Sequence, residues 1–176
     1  DALVCPDGTS VSRTGSTCTF PACPPPNVSF SDIAIAFAVP ADFTIAELPD
    51  ASSVAAYEHT DASTTDSIII RRYALEASST VLNVIRMTAI SGTSGAPVNQ
   101  TTFSSMGIAE RNYTLVPIER FEGVVDTAYY LKHGMDLLRF DAIDRNVVNW
   151  TDQSLVISTL PAHAALLKLL TTLQGQ

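Results

Sequence analysis

The sequence predicts an α+β fold in which an antiparallel β-sheet is flanked by helices, with a C-terminal helix packed on the sheet and a small disulfide-tied loop at the N-terminus. Three observations lead to this prediction. Strand patterns follow one another along most of the chain, an internal segment and the C-terminal segment have helical spacing, and all three cysteines lie within the first 23 residues.

The strand predictions rest on alternating or β-branched apolar runs that end at turn residues. A hairpin is expected where Tyr129-Tyr130-Leu131-Lys132 and Leu137-Leu138-Arg139-Phe140 are joined through His133-Gly134. A long polar loop is expected over residues 93–111. The predicted strands cover residues 32–39, 54–58, 67–73, 113–120, 126–132, 135–143 and 153–158.

Two helices complete the predicted elements. Residues 79–90 are ambiguous, because their β-branched content favours a strand whereas their spacing favours a helix with Asn83 and Arg86 on the solvent side. We choose the helix, with Ser78 or Ser79 as its N-cap and Gly92 at its end. A second helix starts near Pro161. Its expected buried face consists of Leu166, Leu167, Leu169, Leu170 and Leu173.

At 176 residues the chain is long enough for one domain with its own core. We divide it into a cysteine-containing loop with a proline linker at residues 1–26 and an α+β domain at residues 27–176. The run Pro24-Pro25-Pro26 predicts a stiff, extended spacer between the two parts.

The order of these elements resembles the PsbP-like fold, in which helices flank an antiparallel sheet. This resemblance implies a binding or assembly protein, since most members of that fold have such roles. It rests on element order and assigns no site residue, because a fold alone does not specify a function.

The cysteines indicate the compartment. Cys5, Cys18 and Cys23 are confined to the N-terminal segment, and the rest of the chain has none. A zinc knuckle is disfavoured because there is no C-x₂-C pair and no nearby His. A disulfide in an oxidising environment is the better interpretation, with Cys5 bonded to Cys18 or to Cys23. The odd count leaves one thiol unpaired or bonded to a residue upstream of Asp1.

The N-terminal segment contains a motif with the spacing CPDG-x-x-V-x-R-T-G-x-x-C-x-F-x-x-C-P, formed by Cys5 to Pro24. It resembles a short motif of exported and lipid-anchored proteins from uncultivated, small-genome bacteria. The resemblance implies export, a disulfide-tied hairpin and a further upstream cysteine, with a membrane anchor as one form that the upstream chain could take. It implies no catalytic residue.

Composition excludes several classes of partner. The net charge is −8 and no basic cluster is present, so neither nucleic acid nor an anionic membrane surface is an expected partner. The apolar runs are shorter than the roughly 20 residues of a membrane-spanning helix, so no transmembrane segment is expected in this chain. The sequence has no recognisable cofactor motif, and we predict neither a cofactor nor a metal.

A serine protease is the first catalytic hypothesis to weigh. Gly92-Thr93-Ser94-Gly95-Ala96-Pro97 is similar to the G-x-S-G-x-P nucleophile loop of chymotrypsin-like proteases, and His59 lies upstream. In those enzymes the triad is divided between two β-barrels. The interval between His59 and Ser94 is too short to hold the required strands. We therefore interpret the glycines and proline as the end of a helix and the start of a loop.

Other candidate site residues are scattered. His59, His133 and His163 are interpreted as separate surface histidines. Glu119, Glu122, Asp141 and Asp144 offer carboxylate pairs of the glycosidase type, but no spacing fixes their distances. Arg71 and Arg72 are candidate ligand-binding residues because adjacent strand positions place one arginine on each face. Trp150 is the candidate exposed aromatic.

Four of the asparagines lie in N-glycosylation sequons, namely Asn27, Asn99, Asn112 and Asn149. Two interpretations stay open. The sequons indicate either a eukaryotic secreted glycoprotein or a chain rich in Ser and Thr in which such triplets arise by chance. The N-terminal motif favours chance.

These observations together predict a secreted or cell-surface binding or assembly module whose partner is an unknown protein or surface ligand. One alternative is an extracellular hydrolase, for which glycosidase-type carboxylates are favoured over a serine protease. Another is a structural component of an envelope assembly, which would present an apolar patch or an open strand edge.

Overall fold

The computed structural model describes residues 2–5, 10–14, 18–22 and 26–175. The described residues are mostly β, with 45% of them in strands and 16% in helices. The predicted α+β class is therefore wrong. The α-helices are short, whereas most of the hairpin strands extend by a few residues beyond the apolar runs from which they were predicted, so the sheet takes residues that were expected in loops.

Eleven strands and two α-helices are formed by the described residues. The first four strands are β1 (Ala2–Val4), β2 (Ser10–Ser12), β3 (Val28–Phe30) and β4 (Ile35–Phe37). Those that follow are β5 (Thr44–Ile45), β6 (Ser53–Asp61), β7 (Thr64–Ala74), β8 (Ser104–Ile108), β9 (Arg111–Phe121), β10 (Val124–His133) and β11 (Asp136–Asp144). The helices are α1 (Val81–Thr88) and α2 (Pro161–Thr172).

Strands β5 to β11 form one antiparallel sheet in the order β5-β6-β7-β11-β10-β9-β8. Two runs of hairpin-connected strands, β5 to β7 and β8 to β11, meet where β7 pairs with β11. The chain between these runs contains α1 and crosses one sheet face from the middle of the sheet to its β8 edge. The strands β1 and β2 pair separately, as do β3 and β4.

The β10–β11 hairpin confirms the strongest local prediction. Tyr129 lies opposite Phe140, and Lys132 lies opposite Leu137. The two residues between the strands are Gly134 and Met135, and Gly134 has φ +59°. A positive φ is the conformation that a tight hairpin turn requires and that glycine adopts without steric cost.

Three other predictions about the strands are corrected. The alternating run 32–39 forms only the three-residue β4, because its partner β3 is equally short. The polar stretch 93–111 contains β8, which pairs with β9 despite its low hydrophobicity. Residues 153–158 do not form a strand, and a single 3₁₀ turn spans Ile157–Thr159.

The helix hypothesis for the ambiguous segment is confirmed, with different ends. Thr80 is the N-cap, and its side chain accepts a hydrogen bond from the amide of Asn83. The helix ends at Thr88 rather than at Gly92, because Ala89 leaves the helical conformation and its carbonyl accepts a bond from the amide of Val98 at 2.8 Å. Ile85 is buried against the sheet, and Asn83 and Arg86 are exposed as predicted.

The second helix, α2, closes the opposite sheet face. Four of the five leucines of its predicted buried face are nearly inaccessible, and Leu167 is half-buried. They pack on the large apolar side chains of the central strands, including Ile68, Ile70 and Phe140. Burial of each leucine contributes roughly 1.5–3 kcal/mol, so this layer is a major source of stability.

A carboxylate from the sheet caps α2. Leu160 occupies the N-cap position and provides no side-chain hydrogen bond. Asp144, the last residue of β11, accepts instead from the amides of Ala162 at 2.7 Å and His163 at 3.3 Å. The Nδ1 atom of His163 lies 2.5 Å from the same carboxylate, and both residues are buried. The interpretation of His163 as a surface residue is therefore wrong.

The C-terminal end of the described chain is paired with β4. Ala36 and Gln174 exchange backbone hydrogen bonds of 3.1 and 2.7 Å. Gly175 follows with φ +119°, and a Cβ at this position would lie 2.2 Å from the carbonyl oxygen of Ala34. Only glycine fits so close to that oxygen. The pairing joins α2 to the β3–β4 hairpin.

The described residues test one of the two predicted disulfide pairings of the N-terminal segment. Cys18 is exposed and free, which excludes a bond between Cys5 and Cys18 in this structure. Cys5 is buried, and Cys23 lies outside the described residues, as does most of the proline spacer. No disulfide joins two described residues, and the predicted alternative, a bond between Cys5 and Cys23, involves a residue outside the described part of the chain.

We predict that Asp144→Ala lowers the free energy of unfolding by roughly 2–4 kcal/mol, because it removes a helix cap and leaves buried donors unpaired. Chemical denaturation monitored by circular dichroism measures this change. Asp32→Ala serves as the control, since Asp32 is 67% exposed and lies 3.4 Å from Arg72. Its expected change is within about 0.5 kcal/mol. Equal effects of the two substitutions would contradict the assigned capping role.

Candidate functional site

A row of charged side chains crosses the sheet face beneath α1. At its centre is Asp141 on β11, whose carboxylate is fully buried. It accepts from Arg139 Nε at 2.7 Å and Nη2 at 2.6 Å, and Arg71 of β7 donates to its other oxygen. Two guanidinium groups therefore share one carboxylate, which offsets the cost of removing these charges from water.

Arg71, predicted as a ligand-binding residue, is held on both sides. In addition to Asp141, its Nε donates to Asp50 Oδ2 at 3.0 Å. The other oxygen of Asp50 accepts from the amides of Ser52 and Ser53 at 2.9 and 3.1 Å. Only 14% of the Arg71 side chain is exposed. The contacts of this arginine join the edge of the sheet to its centre.

Asp126 on β10 extends the row but has no ion-pair partner among the described residues. Its Oδ1 atom is buried and forms no hydrogen bond within the described chain. Burial raises the pKa of this carboxyl well above its ordinary value, and the nearby charge of Asp141 raises it further. The arginines Arg139 and Arg71 act in the opposite direction and are outweighed. The arrangement therefore favours the protonated form of Asp126.

Glu119 on β9 lies opposite Asp126 and holds the loop that follows α1. Its carboxylate accepts from the amide of Thr93 at 3.0 Å and from the hydroxyl of Ser91 at 3.3 Å. A Cβ on Gly92 would lie 2.9 Å from Glu119 Oε2. Glycine at this position therefore allows the loop to close directly onto the carboxylate.

The same row fixes the C-terminal end of α1. Arg139 donates from Nη1 to the carbonyl oxygen of Thr88 at 2.6 Å. The Tyr130 hydroxyl lies 3.1 Å from the Thr88 hydroxyl. A cation at the last carbonyls of a helix satisfies groups that have no helical partner and interacts favourably with the helix dipole. The buried charges thus determine where α1 sits on the sheet.

A groove of about 700 Å³ separates α1 from the segment that follows the loop, and we call it the α1 groove. Its volume lies within the range of small-molecule sites. The helix contributes residues spaced by three and four positions, which therefore share one face. The lining consists of Asn83, Arg86, Met87, Ile90, Pro97, Val98, Asn99 and Gln100.

The walls of the α1 groove are fixed by backbone contacts as well as by the charged row. Ile90 and Pro97 form an isolated antiparallel bridge. The amide of Gly95 donates to the carbonyl of Ser91 at 2.9 Å, with Gly95 at φ +64°. Asn99 caps the next short turn by accepting from the amide of Thr101 at 3.0 Å. The Gly-Thr-Ser-Gly-Ala-Pro stretch is thus a compact turn.

Ser94 has no histidine among its hydrogen-bond partners in the described chain. Its hydroxyl accepts from the amide of Ala96, and its amide donates to Ser91 Oγ. The described histidines bond elsewhere, His59 with the carbonyl of Asp42 and His133 with that of Ile33. These contacts agree with the interpretation of the motif as a loop.

The remaining sequence-predicted residues lie apart from the groove. Arg72 pairs with Asp136 at 2.9 Å on the opposite side of the β7 backbone from Arg71. Trp150 is half-buried, contacts Phe121 edge-on with ring centroids 6.0 Å apart, and accepts from Arg120 through its carbonyl. The structure does not bring Arg71, Arg72 and Trp150 together.

The four carboxylates that were considered as glycosidase pairs do not form such a pair, because each has a different structural role or position. Asp141 is an ion-pair centre, Asp144 is a helix cap and Glu119 holds a loop. Glu122 is exposed at the β9–β10 turn with φ +48°. The described residues contain no group of three or more acidic, His or Cys side chains arranged for a metal ion. None of their helices is long and apolar enough to span a bilayer.

Sequence reasoning missed Asp126 and the pairing of Arg139 with Asp141. The available signal was a charged residue inside an otherwise apolar strand, as in Val125-Asp126-Thr127-Ala128 and Leu138-Arg139-Phe140-Asp141-Ala142. Buried charges are rare unless they are paired. Such a pattern therefore predicts partners, although it does not name them.

The comparisons with known proteins identify no family. No protein-family model matches the sequence, and no curated protein matches it. A solved structure from Bacteroides thetaiotaomicron VPI-5482 is similar with a TM-score of 0.47 and 11% sequence identity. The similarity covers 81% of this chain and 45% of that protein, so the chain spans less than half of its length.

We predict that Asp126→Asn stabilises the protein increasingly as the pH rises from about 4 to 8. The pKa of Asp126 is raised on folding, so the wild-type chain loses stability above the unfolded pKa, by up to about 1.4 kcal/mol per pH unit until the folded pKa is reached. Asparagine imitates the protonated acid and does not titrate.

Urea denaturation of both chains across this pH range measures the difference in unfolding free energy. Glu122→Gln, at an exposed turn, is the control and should give a difference that does not change with pH. A difference for Asp126→Asn that is the same at every pH would show that folding does not raise the pKa of this carboxyl.

Proposed function

We propose that the chain is a binding module of an exported or cell-surface protein and that its ligand occupies the α1 groove. One observation carries this proposal: within the described residues, the walls of the groove are held by hydrogen bonds, but its one cationic side chain, Arg86, is not. Both walls are tied to the buried charged row, whereas Arg86, which lines the groove, has no ion pair or hydrogen bond within the described residues.

The fixed walls support a binding role on energetic grounds. Arg139 holds the end of α1 through the Thr88 carbonyl, and Glu119 holds the loop through the Thr93 amide. A groove formed before the ligand arrives loses less conformational freedom on binding than one that must be ordered by it. The residues that hold the walls need not touch the ligand.

The chemistry of the lining favours binding over hydrolysis. Arg86 is the single ionisable side chain among the eight residues that line the groove. General acid–base catalysis needs groups that exchange protons near neutral pH, and arginine does not. The carboxyl with the strongly raised pKa, Asp126, belongs to the row beneath α1 and is not among the lining residues.

The proposed location rests on the N-terminal motif between Cys5 and Pro24, which resembles one found in exported and lipid-anchored proteins. The acidic surface, with a net charge of −8, is compatible with a protein that works outside the cell and binds no nucleic acid. Fractionation of the native host, followed by detection of the chain with an antibody, distinguishes an exported protein from a cytoplasmic one.

Nuclear magnetic resonance titration tests the groove. We predict that at least one of three probes with the same six-carbon body, hexan-1-ol, hexanoate and hexylammonium, shifts the backbone amide signals of residues 83–90 and 97–100. Asn83→Trp, which places a large ring in the groove, should abolish these shifts. Leu82→Trp is the matched control, since Leu82 is the neighbouring exposed helix residue and is not among those that line the groove.

Two outcomes would overturn this function. One is the absence of shifts in these two segments with all three probes. The other is an equal loss of the shifts in Asn83→Trp and Leu82→Trp, which would indicate a disturbed helix rather than a blocked groove. Far-ultraviolet circular dichroism of both variants verifies that α1 and the sheet are intact.

A second candidate function is assembly through the sheet edge, and a separate observation favours it. An apolar groove of about 290 Å³, here the edge groove, lies between β3 and the β5–β6 edge. Ile45 and Leu48 in its lining are 85% and 53% exposed. The lining has no charged residue, so two copies of this acidic chain can meet there without direct repulsion. It consists of Val28, Phe30, Ile45, Ala46, Leu48, Val54, Ala55, Ala56 and Tyr57.

Sedimentation velocity at increasing concentration tests this self-association. We expect the wild-type chain to form dimers and Ile45→Glu to remain monomeric, because a charge in an apolar contact must be desolvated without a partner. Val148→Glu is the control, since Val148 is 97% exposed and outside the edge groove, and it should dimerise as the wild type does. A wild-type chain that stays monomeric throughout excludes this candidate.

A further inference from the structure

Arg86 differs from every other arginine of the chain. The other seven each hydrogen-bond or pair with a group of the protein, namely Arg13, Arg71, Arg72, Arg111, Arg120, Arg139 and Arg145. Arg86 has no such partner within the described residues. The chain has eighteen acidic residues and ten basic ones, so carboxylates are plentiful. None of those in the described residues pairs with Arg86.

The polar groups around Arg86 are of one kind. Asn83, Asn99 and Gln100 bring three carboxamides to the α1 groove, and no carboxylate is among its lining residues. Each carboxamide can donate through its NH₂ group, and the guanidinium donates only. A neighbouring groove of about 420 Å³ shares Met87 with the α1 groove and has Glu76 in its lining. The polar part of the α1 groove thus suits an anion.

We infer that the ligand of the α1 groove carries a carboxylate that pairs with Arg86, with an aliphatic body against Met87, Ile90 and Val98. This inference rests on the proposed function, since it names the class of ligand for the same groove. The shared chemistry is a carboxylate on an apolar chain, which a free aliphatic acid and the C-terminus of an apolar peptide both provide.

The charge balance favours a carboxylate over a phosphate group. One guanidinium matches one negative charge and can bind a carboxylate through two parallel hydrogen bonds. A phosphate with nearly two charges would remain partly uncompensated in a chain whose net charge is −8. Arg86 also lies in the last turn of α1, where the helix dipole is negative and opposes additional anionic charge.

The apolar wall determines the remainder of the ligand. Met87 is 77% exposed at the groove, and its flexible thioether can adapt to different aliphatic shapes. Ile90 and Val98 are half-buried beside it and are held by the backbone contacts between residues 89–90 and 97–98. This arrangement specifies the carboxylate end of a ligand while tolerating variation in its body.

The test compares dissociation constants for the three six-carbon probes by NMR titration. For the wild-type chain we expect hexanoate to bind about tenfold more tightly than hexan-1-ol, and hexylammonium to bind most weakly. Arg86→Gln should remove the advantage of hexanoate over hexan-1-ol and leave hexan-1-ol binding unchanged. Lys168→Gln makes the same change of net charge at an exposed residue of α2 and should have no effect.

Two further ligands distinguish between an aliphatic acid and a peptide C-terminus as the source of the carboxylate. N-acetyl-alanyl-leucine, with a free C-terminal carboxylate, is compared with its C-terminal amide. A tenfold preference for the acid over the amide, together with tighter binding than hexanoate, assigns the groove to peptide C-termini. Tighter binding of hexanoate assigns it to aliphatic acids. Both results support the carboxylate inference.

Failure of the inference differs from failure of the proposed function. If hexan-1-ol shifts the groove signals but hexanoate binds no better, or if Lys168→Gln weakens hexanoate as much as Arg86→Gln does, the carboxylate inference is wrong and the binding role stands. If none of the three six-carbon probes shifts residues 83–90 and 97–100, both are wrong.

Discussion

The pairing of Arg139 with Asp141 at the centre of the sheet is the contact on which the position of α1 depends. Both residues are on β11, and removing their charges from water is costly unless each polar atom finds a partner. Arg71 provides a second donor for the carboxylate. The carbonyl of Thr88 accepts a hydrogen bond from the Nη1 atom of Arg139. The ion pair and the end of the helix therefore satisfy each other, and α1 has a defined place on the sheet.

The negative charges of this row exceed its positive ones, and the excess has a structural consequence. Burial and the nearby Asp141 carboxylate raise the pKa of Asp126, because both disfavour a further negative charge. Glu119, at the margin of the row, is held by the amide of Thr93. The ionisable groups thus position the two walls of the α1 groove, whereas the groove itself presents the unpaired Arg86. Support and recognition are assigned to different residues.

Local predictions succeeded where the interactions are local. The β10–β11 hairpin follows from two apolar runs around Gly134, and the helical face of α1 follows from the spacing of Asn83 and Arg86. The α+β class was wrong because a strand such as β8 is specified by pairing with β9 rather than by its own composition. The burial of His163 depends on Asp144, which is nineteen positions away and reaches the helix only in the folded sheet.

The sequence by itself determined the acidic net charge, the apolar face of α2 and the β10–β11 hairpin, because these depend on composition and short spacings. The tertiary structure decided which charges are buried together and which arginine has no partner within the described residues. Arg71 and Arg86 are indistinguishable as residue types, yet pairing of β7 with β11 places Arg71 beside Asp141, while the outer face of α1 leaves Arg86 at the groove. Register and helix orientation are long-range properties, so no local pattern could separate the two arginines.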